Sequence, residues 1–258
     1  MTASGNSKDF LLTLDRGLTV IKSFDAESPR MTLSEVAHKN NMSRASARRF
    51  ILTLQRLGYI IKVDEGFQLT AKILELGHQY LTNLNYIEVI TPFMRKVSRK
   101  LNKACSASIL NETDIVYIAR IPSQHQILSV NLSIGSRLPA YCTSMGRVLL
   151  GNLNRKELKA YFKQAELVPH TAHTITEVNS LLKIIEQTRK DGYCIVKQEL
   201  EENLCSVAVP ICNRQGRVLC AINVGMPVGQ LKKKKIRSDF LPVLQEAASK
   251  AEAILEHS

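Results

Sequence analysis

The sequence predicts an α+β protein with a winged helix-turn-helix domain near its N-terminus and a larger domain built on an antiparallel sheet flanked by helices. Three observations lead to this prediction. The chain has 258 residues, which is enough for two domains of ordinary size. Its first part contains two capped helical segments and then a β-hairpin pattern. Farther along, strand patterns stand on both sides of a helical middle segment.

The composition is that of an ordinary globular protein with a strongly basic charge. Hydrophobic residues make up 45% and charged residues 22% of the chain, which excludes disordered, collagen-like and disulfide-scaffold classes. The net charge of +12 indicates a polyanionic partner, either nucleic acid or an anionic membrane. The sequence has no run of about 18 apolar residues and no export signal, so we expect a cytoplasmic protein without a membrane partner.

Three helices are predicted in the first domain. The first covers residues 10–24, where apolar residues at three- and four-residue spacing form one face. Thr32 and Glu35 form a capping-box pattern that opens a short second helix. Ser43 can cap a third helix that runs to about Leu57. The apolar face of this third helix consists of Ala47, Phe50, Ile51, Leu54 and Leu57. The short connection between the last two helices predicts a helix-turn-helix.

A wing and a basic surface accompany these helices. Residues 59–63 and 67–69 have the pattern of two strands around a tight turn. Between Glu35 and Asp64 the chain has several basic residues and no acidic one. A major groove admits one helix, whose N-terminal side chains reach base edges while arginines hold phosphates. The candidate contacts to double-stranded operator DNA are Thr32, Ser43, Arg44, Ala45, Ser46, Arg48, Arg49, Arg56 and Lys62. The alternative is a basic, solvated face of a three-helix bundle.

A linker helix is predicted after the wing, because residues 71–83 carry apolar side chains at helical spacing. The predicted domains are therefore a DNA-binding domain at 1–72, a linker helix at 73–85 and a second domain at 86–258. The apolar stripe of the linker can belong to the core of the chain or to a dimer interface. We favour the dimer because winged modules commonly bind paired half-sites.

The second domain alternates strands and helices in a way that predicts a pocket. Strands are expected at 105–110, 115–120, 127–132, 193–197, 204–212 and 217–224, and helices at 86–103, 144–151, 154–164, 177–190 and 231–256. An antiparallel sheet with helices beside it has a concave face that can hold a ligand. The loop at 134–141 leads to Ser144, where hydroxyls and helix N-terminal amides can receive a carboxylate.

Four motifs resemble the IclR family of bacterial regulators, and the resemblance extends over residues 10–256. They read RMTLSEVA at 30–37, ARRF at 47–50, LQRLGY at 54–59 and IGSRLPAYCTSMGRVLL at 134–150. The motifs are similar to those of the branch that governs aromatic-acid catabolism, whose effectors are protocatechuate, 4-hydroxybenzoate and β-ketoadipate. The resemblance implies a GAF-like effector domain, a homodimer or homotetramer on DNA and no cofactor. Activation and repression both remain open, and RNA polymerase would be a further partner of an activator.

The resemblance also implies an effector site for a small aromatic or dicarboxylic acid. Its expected residues are Arg120, Arg137, Tyr141, Ser144, Met145, Cys194, Gln198, Glu199, Ser206, Ala221 and Asn223. Beside it the chain departs from the branch, which has Asp at Lys197, Gly at Asn203 and Arg at Cys205. Asn203 can adopt the left-handed conformation of a glycine, whereas Cys205 removes a charge partner for an anion. Arg120 or Arg137 could replace that partner, or could equally form a surface salt bridge.

Two other functions compete with the regulator. One is a thiol-dependent or serine enzyme, with Cys194, Cys205 or Ser144 as nucleophile and His125, His170 or His173 as base. Without a nucleophile-elbow or phosphate-loop pattern, packed or surface roles are the better interpretation of these residues. The other is a structural, nucleoid-type DNA-binding protein without a ligand. His170 and His173 alone make half a zinc site, so we expect no metal. The six cysteines have no C-x-x-C pair and are expected to be reduced and mostly buried.

Overall fold

A computed structural model describes residues 9–123, 132–230 and 236–255 of the chain. The chain divides into two compact units between Asn83 and Leu84. Each unit has its own hydrophobic core, as separate domains do. In the described ranges no helix is both long and apolar enough to cross a membrane.

The first unit begins with three helices, and the helix-turn-helix is among them. They are α1 (Leu12–Lys22), α2 (Leu33–Lys39) and α3 (Arg44–Arg56). The predicted capping box is confirmed, because the Thr32 side chain accepts the backbone N–H of Glu35 and the Glu35 carboxylate accepts the backbone N–H of Thr32. Ser43 caps α3 by accepting the backbone N–H of Ser46 at 3.2 Å. These caps satisfy N–H groups that have no partner inside the helix.

The core of the first unit confirms most of the predicted apolar faces, with two differences. Its buried residues include Val20, Val36, Ala47, Ile51, Leu54, Ile60 and Phe67. The prediction that Leu57 belongs to the buried face is wrong, since its side chain is 52% exposed. The helix ends at Arg56, and the chain turns at Gly58 with φ +82°, which carries Leu57 away from the core. On α1, the leucines Leu11, Leu14 and Leu18 are exposed, and Val20 is the buried residue.

The predicted wing is confirmed as an antiparallel hairpin of β1 (Ile60–Val63) and β2 (Gly66–Leu69). The backbones of Met31 and Phe67 exchange hydrogen bonds of 3.0 and 2.8 Å. These bonds attach the hairpin to the segment before α2. A 3₁₀ turn then leads into α4 (Glu75–Thr82), which lies where the sequence predicts a linker helix and belongs to the first unit.

The second unit is built on an antiparallel sheet. Among the described residues its strands are β3 (Cys105–Asn111), β4 (Asp114–Ile121), β5 (Arg137–Pro139), β6 (Cys194–Lys197), β7 (Leu204–Cys212) and β8 (Val218–Pro227). They lie in the order β5-β4-β3-β8-β7-β6, and each neighbouring pair is antiparallel. Residues on one face of this sheet therefore come from distant parts of the chain.

Helices cover both faces of the sheet, which confirms the predicted architecture. They are α5 (Tyr86–Leu101), α6 (Ser144–Gly151), α7 (Arg155–Gln164), α8 (Val178–Asp191) and α9 (Leu241–Leu255). On one face, Ile90 of α5 and Leu244 of α9 belong to the same core as Val207 of β7. On the other face, Met145 of α6 and Leu181 of α8 pack in a second core.

Two predicted boundaries differ from the structure. The strand expected at 127–132 stays a prediction, because it lies outside the described residues except for Leu132. A short strand, β5, stands where a loop is expected, because Arg137–Pro139 pairs with the edge of β4. The last helix begins at Leu241 after a π-helical turn, and residues 231–235 lie outside the described ranges.

Candidate functional site

Basic side chains cover the exposed surface of α3. The exposed arginines of this helix are Arg44, Arg48, Arg49 and Arg56. Lys62, on the strand β1 that follows α3, is exposed as well. Within the described ranges none of them takes part in an ion pair. Cationic groups without a protein counterion are suited to the phosphates of a nucleic acid.

The uncharged candidates lie at the helix starts. Thr32 and Ser43 cap α2 and α3, and Ala45 is exposed on the first turn of α3. Ser46 is half-buried, and together with Arg49 it lines an apolar groove between α1 and α3. The flank of α3 that faces α1 therefore includes Arg49, whereas Arg48 does not line that groove.

A cavity lies in the second unit on the sheet face that α6 covers. The free space inside it is about 50 Å³. This is less than the roughly 300–1,000 Å³ of common small-molecule sites, so a ligand of that class has to widen the cavity on binding. Its wall is mostly apolar and includes Tyr117, Leu132, Leu138, Met145 and Val196. The cavity therefore has the apolar surface of a site for a small organic ligand.

A polar strip crosses this apolar wall. The sheet register places Arg120 opposite Ser106, and Ser106 opposite Asn223. Directly paired residues on neighbouring strands project on the same side of a sheet, so three polar side chains form one row. Arg120 Nη1 donates to Ser106 Oγ at 3.1 Å, which fixes the guanidinium against the sheet.

A buried ion pair closes one side of the cavity. The guanidinium of Arg147, on α6, donates two hydrogen bonds of 2.7 and 2.6 Å to the carboxylate of Glu199. Both side chains are almost fully buried, with 2% and 7% exposure. Arg147 Nε donates to the carbonyl of Tyr141, and Glu199 also accepts the backbone N–H of Ile175. Glu199 lines the cavity, so this network connects the cavity wall to α6.

The structure brings five of the predicted effector residues together. The members of the cavity wall among them are Arg120, Met145, Glu199, Ser206 and Asn223. They come from β4, from the first turn of α6, from the segment after β6, and from β7 and β8.

Arg137 and Tyr141 do not line the cavity. Arg137 is exposed on β5, where it donates to Asp114 Oδ2 at 3.0 Å and to the carbonyl of Asn111 at 3.1 Å. Of the two roles considered for Arg137, the structure shows the surface salt bridge. Tyr141 is buried, and its hydroxyl donates to the carbonyl of Val168.

The remaining four predicted residues also lie outside the cavity wall. Ser144 is buried at the start of α6, Ala221 belongs to the same core as Met145, and Cys194 is buried on β6. Gln198 donates from its side chain to the carbonyl of Glu202 at 2.6 Å. These residues surround the site and support it without contributing to its surface.

Several residues of the wall were not predicted. Examples are Tyr117 of β4, Thr143 before α6, Leu200 before β7 and Leu204 at the start of β7. Burial raises the pKa of Tyr117 to about 12, so this phenol stays uncharged at neutral pH and can donate or accept a hydrogen bond. In a regular strand, Tyr117 and Arg120 would face opposite sides of the sheet, because they are three residues apart. The bulge in the β3–β4 register brings both to the cavity side, and the sequence pattern does not predict that bulge.

Lys197, Asn203 and Cys205, the three residues that depart from the branch pattern, do not line the cavity. Cys205 lies in the core beneath α5 and α9, whereas its neighbour Ser206 faces the cavity. Lys197 is paired with Cys205 and therefore lies on that same face. The expectation that Cys205 removes a charge partner of the ligand is thus wrong. The left-handed conformation falls on Gln198, with φ +58°, and not on Asn203.

The cysteines have the properties of packed thiols. All six are free, and all except the half-buried Cys212 are buried, as predicted. Burial raises the pKa of Cys105 and of Cys142 to about 12, and it raises the pKa of Cys194 and of Cys205 as well. A protonated thiol is a poor nucleophile, so these groups do not support an enzyme. His125, one of the bases considered, lies outside the described residues.

Comparisons with known proteins agree with the fold. The family model described as the IclR helix-turn-helix domain matches residues 13–64, and the model described as the C-terminal part of the bacterial transcriptional regulator IclR matches residues 78–253. The Pca regulon regulatory protein of Pseudomonas putida is 39% identical over 240 residues, which cover 93% of this chain and 82% of the relative.

Solved structures have the same fold. A candidate transcriptional regulator from Rhodococcus sp. RHA1 is 42% identical, with a TM-score of 0.84 over 96% of this chain and 99% of that one. An IclR homologue from Microbacterium hydrocarbonoxydans in complex with 4-hydroxybenzoate is 21% identical, with a TM-score of 0.83 over 95% of this chain and 100% of that one. The family models together cover most of the chain. The chain therefore belongs to the IclR family of bacterial transcriptional regulators.

Proposed function

We propose that this regulator binds operator DNA through α3 and that a small aromatic acid in the cavity of the second unit controls its activity. The cavity is the observation that carries the proposal, because its apolar wall and polar strip suit a small acid. The exposed arginines of α3 supply the surface for DNA. The names of two similar proteins support the aromatic class: one regulates the Pca regulon, and the other was crystallised with 4-hydroxybenzoate.

The DNA-binding part predicts a specific effect of Arg48. Replacing Arg48 by Ala removes an exposed cation near the N-terminus of α3 and should weaken operator binding about tenfold or more. The measurement is fluorescence anisotropy with a duplex that the wild-type protein selects from a random pool. A base-specific role would relax the sequence preference, whereas a phosphate contact would weaken all duplexes alike and reduce the salt dependence.

Arg155→Ala is the matched control for Arg48, because Arg155 is an exposed arginine on the first turn of α7 in the other unit. It removes the same charge and should leave DNA affinity almost unchanged. Equal losses in the two variants would mean that net charge alone determines binding. Unchanged affinity in Arg48→Ala and Arg49→Ala would remove α3 from the interface.

The effector part predicts stabilisation by aromatic acids. A ligand that binds only the folded protein, present at about 100 times its Kd, raises the free energy of unfolding by about 2.7 kcal/mol. Thermal-shift assays with protocatechuate and 4-hydroxybenzoate, and with the aliphatic acids β-ketoadipate and pyruvate beside them, should show a rise in Tm for one of the two aromatic acids. The same acid should change DNA affinity, and DNA should change the affinity for the acid by the same factor.

No shift at millimolar concentrations would contradict the aromatic-acid assignment and leave the DNA-binding part standing. DNA binding that no small acid changes would favour the alternative of a structural, nucleoid-type protein. The two halves of the proposal can therefore fail separately.

We further propose that the regulator acts as a homodimer or a homotetramer. Exposed leucines on α1, Leu11 and Leu14, are 69% and 61% exposed, and Leu76 and Tyr80 of α4 are 57% and 55% exposed. Large exposed apolar patches commonly mark interaction surfaces, and a second copy of the chain would bury these. Sedimentation equilibrium that found only monomer, with and without DNA, would contradict this part of the proposal.

A further inference from the structure

We infer that Arg120 binds the carboxylate of the effector, so that the cavity selects aromatic acids over uncharged aromatic compounds of the same shape. This inference rests on the proposed function, because it names the group that recognises the ligand in the proposed site. It also assigns the role of charge partner to Arg120 and not to Arg137, a choice that the sequence leaves open.

The distribution of charge in the cavity leads to Arg120. Within the described ranges Arg120 is the one basic side chain of the cavity wall. The wall also contains two carboxylates, Glu199 and Glu201. The guanidinium of Arg147 holds Glu199 in a bidentate pair and is therefore occupied. Arg120 is therefore the cationic group of the wall with which an anionic ligand can pair.

The guanidinium of Arg120 is also held in place before a ligand arrives. It is half-buried on β4, and Nη1 donates to Ser106 Oγ at 3.1 Å. A guanidinium has five N–H donors in a planar fork, and this bond uses one of them. Asn223, in register with Ser106, adds an amide to the same row. A carboxylate at this position can accept hydrogen bonds from the guanidinium. Because the guanidinium is already held by Ser106, it loses less conformational entropy when the ligand binds.

The wall around the strip suits an aromatic ring. It includes Met145 of α6 and Val196 of β6. Its other large apolar side chains include Tyr117, Leu132 and Leu138. Thioether and aromatic side chains make favourable contacts with a ring. The ligand that this combination describes has one carboxylate and a planar apolar body.

Arg137 provides a matched control within the same sheet. It lies on β5, the strand next to β4, and its side chain is 43% exposed. It pairs with Asp114 at 3.0 Å and does not line the cavity. Removal of this arginine changes the net charge by the same amount as removal of Arg120.

The test is isothermal titration calorimetry of the full chain with 4-hydroxybenzoate and with its neutral analogue 4-hydroxybenzamide. The wild type should bind the acid about tenfold or more tightly than the amide. Arg120→Gln should weaken the acid about 10- to 100-fold and change the affinity for the amide little, because only the acid loses a charge-assisted hydrogen bond. Arg120→Lys, which keeps the charge without the fork, should fall between them. Arg137→Gln should bind both compounds as the wild type does.

The outcomes separate the inference from the proposed function. If the wild type binds the acid and Arg120→Gln binds it equally well, the inference is overturned and the proposed function stands. If Arg120→Gln loses the acid and the amide to the same extent, Arg120 shapes the cavity and does not recognise the carboxylate. If the wild type binds none of the aromatic acids of the thermal-shift screen, the inference and the effector part of the proposed function are overturned, and the DNA-binding part stands.

Discussion

Replacement of Glu199 by Gln is expected to lower the free energy of unfolding by about 3–5 kcal/mol, because it leaves the buried guanidinium of Arg147 without its counterion. The two side chains are 2% and 7% exposed, so water cannot replace the lost partner. The amide of Gln has one acceptor oxygen in place of two and carries no charge to balance Arg147. Urea unfolding followed by circular dichroism would measure the change.

The position of the pair makes the loss larger than a single bond. Arg147 also donates to the carbonyl of Tyr141, and the backbone carbonyl of Glu199 accepts from the Thr174 hydroxyl at 2.6 Å. The ion pair thus lies between α6, the segment after β6 and the loop before α8. Movement of Glu199 would disturb all three, and the cavity wall with them.

Two further variants distinguish the cost of an unpaired charge from the loss of the residue itself. Glu246→Gln removes the exposed carboxylate that pairs with Lys250 and should leave stability nearly unchanged, since exposed pairs contribute little. Arg147→Met combined with Glu199→Met replaces both charges by apolar groups and should recover much of the stability that Glu199→Gln loses. If the double variant is as unstable as the single one, the charge is not the cause.

The first domain could be predicted closely because its signals are local. Thr32 and Glu35 are three residues apart, and Ser43 and Ser46 are likewise neighbours, so the caps can be read from the sequence. The hairpin turn after β1 is equally local. The failure at Leu57 has the same origin, because periodicity continues one residue past the point where the helix ends.

The effector site could be predicted only in part, because it is assembled by strand register. Arg120, Ser106 and Asn223 are adjacent only because β4, β3 and β8 pair as they do. No local pattern contains that pairing. For the same reason the sequence alone does not separate Ser206, which faces the cavity, from Cys205, which faces the opposite core. The ion pair of Arg147 and Glu199 joins residues 52 positions apart and was missed altogether.

The start of α6 leads to the second large effect. Gly146→Ala is expected to destabilise the protein by about 3 kcal/mol or more, because overpacking at a backbone contact cannot be relieved by a rotamer change. A Cβ at Gly146 would lie 2.1 Å from the carbonyl oxygen of Ala140 and 2.4 Å from its Cα. The φ of Gly146 is not in the left-handed region, so the cause is steric and not a backbone preference.

The Ala140 backbone cannot easily move away from a new methyl group. Its N–H donates to the carbonyl of Thr113 at 3.1 Å, and its carbonyl accepts both the N–H and the hydroxyl of Thr143 at 3.3 Å. Relief would require α6 to shift away from Ala140, and this shift would displace Thr143 and Met145, two residues of the cavity wall. We therefore expect Gly146→Ala to reduce effector affinity together with Tm, measured by the same thermal-shift and calorimetric assays.

Gly151→Ala is the control in the same helix. A Cβ there would lie 3.6 Å from the carbonyl oxygen of Ile185, an ordinary van der Waals contact. Alanine is a better helix former than glycine by up to about 1 kcal/mol, so this substitution should leave stability unchanged or raise it. Opposite effects of one added methyl at two positions of α6 would show that close approach to Ala140, and not the helix itself, requires a glycine at 146. A Gly146→Ala protein as stable as the wild type would instead mean that the turn before α6 can move, and that the cavity wall tolerates more displacement than its hydrogen bonds indicate.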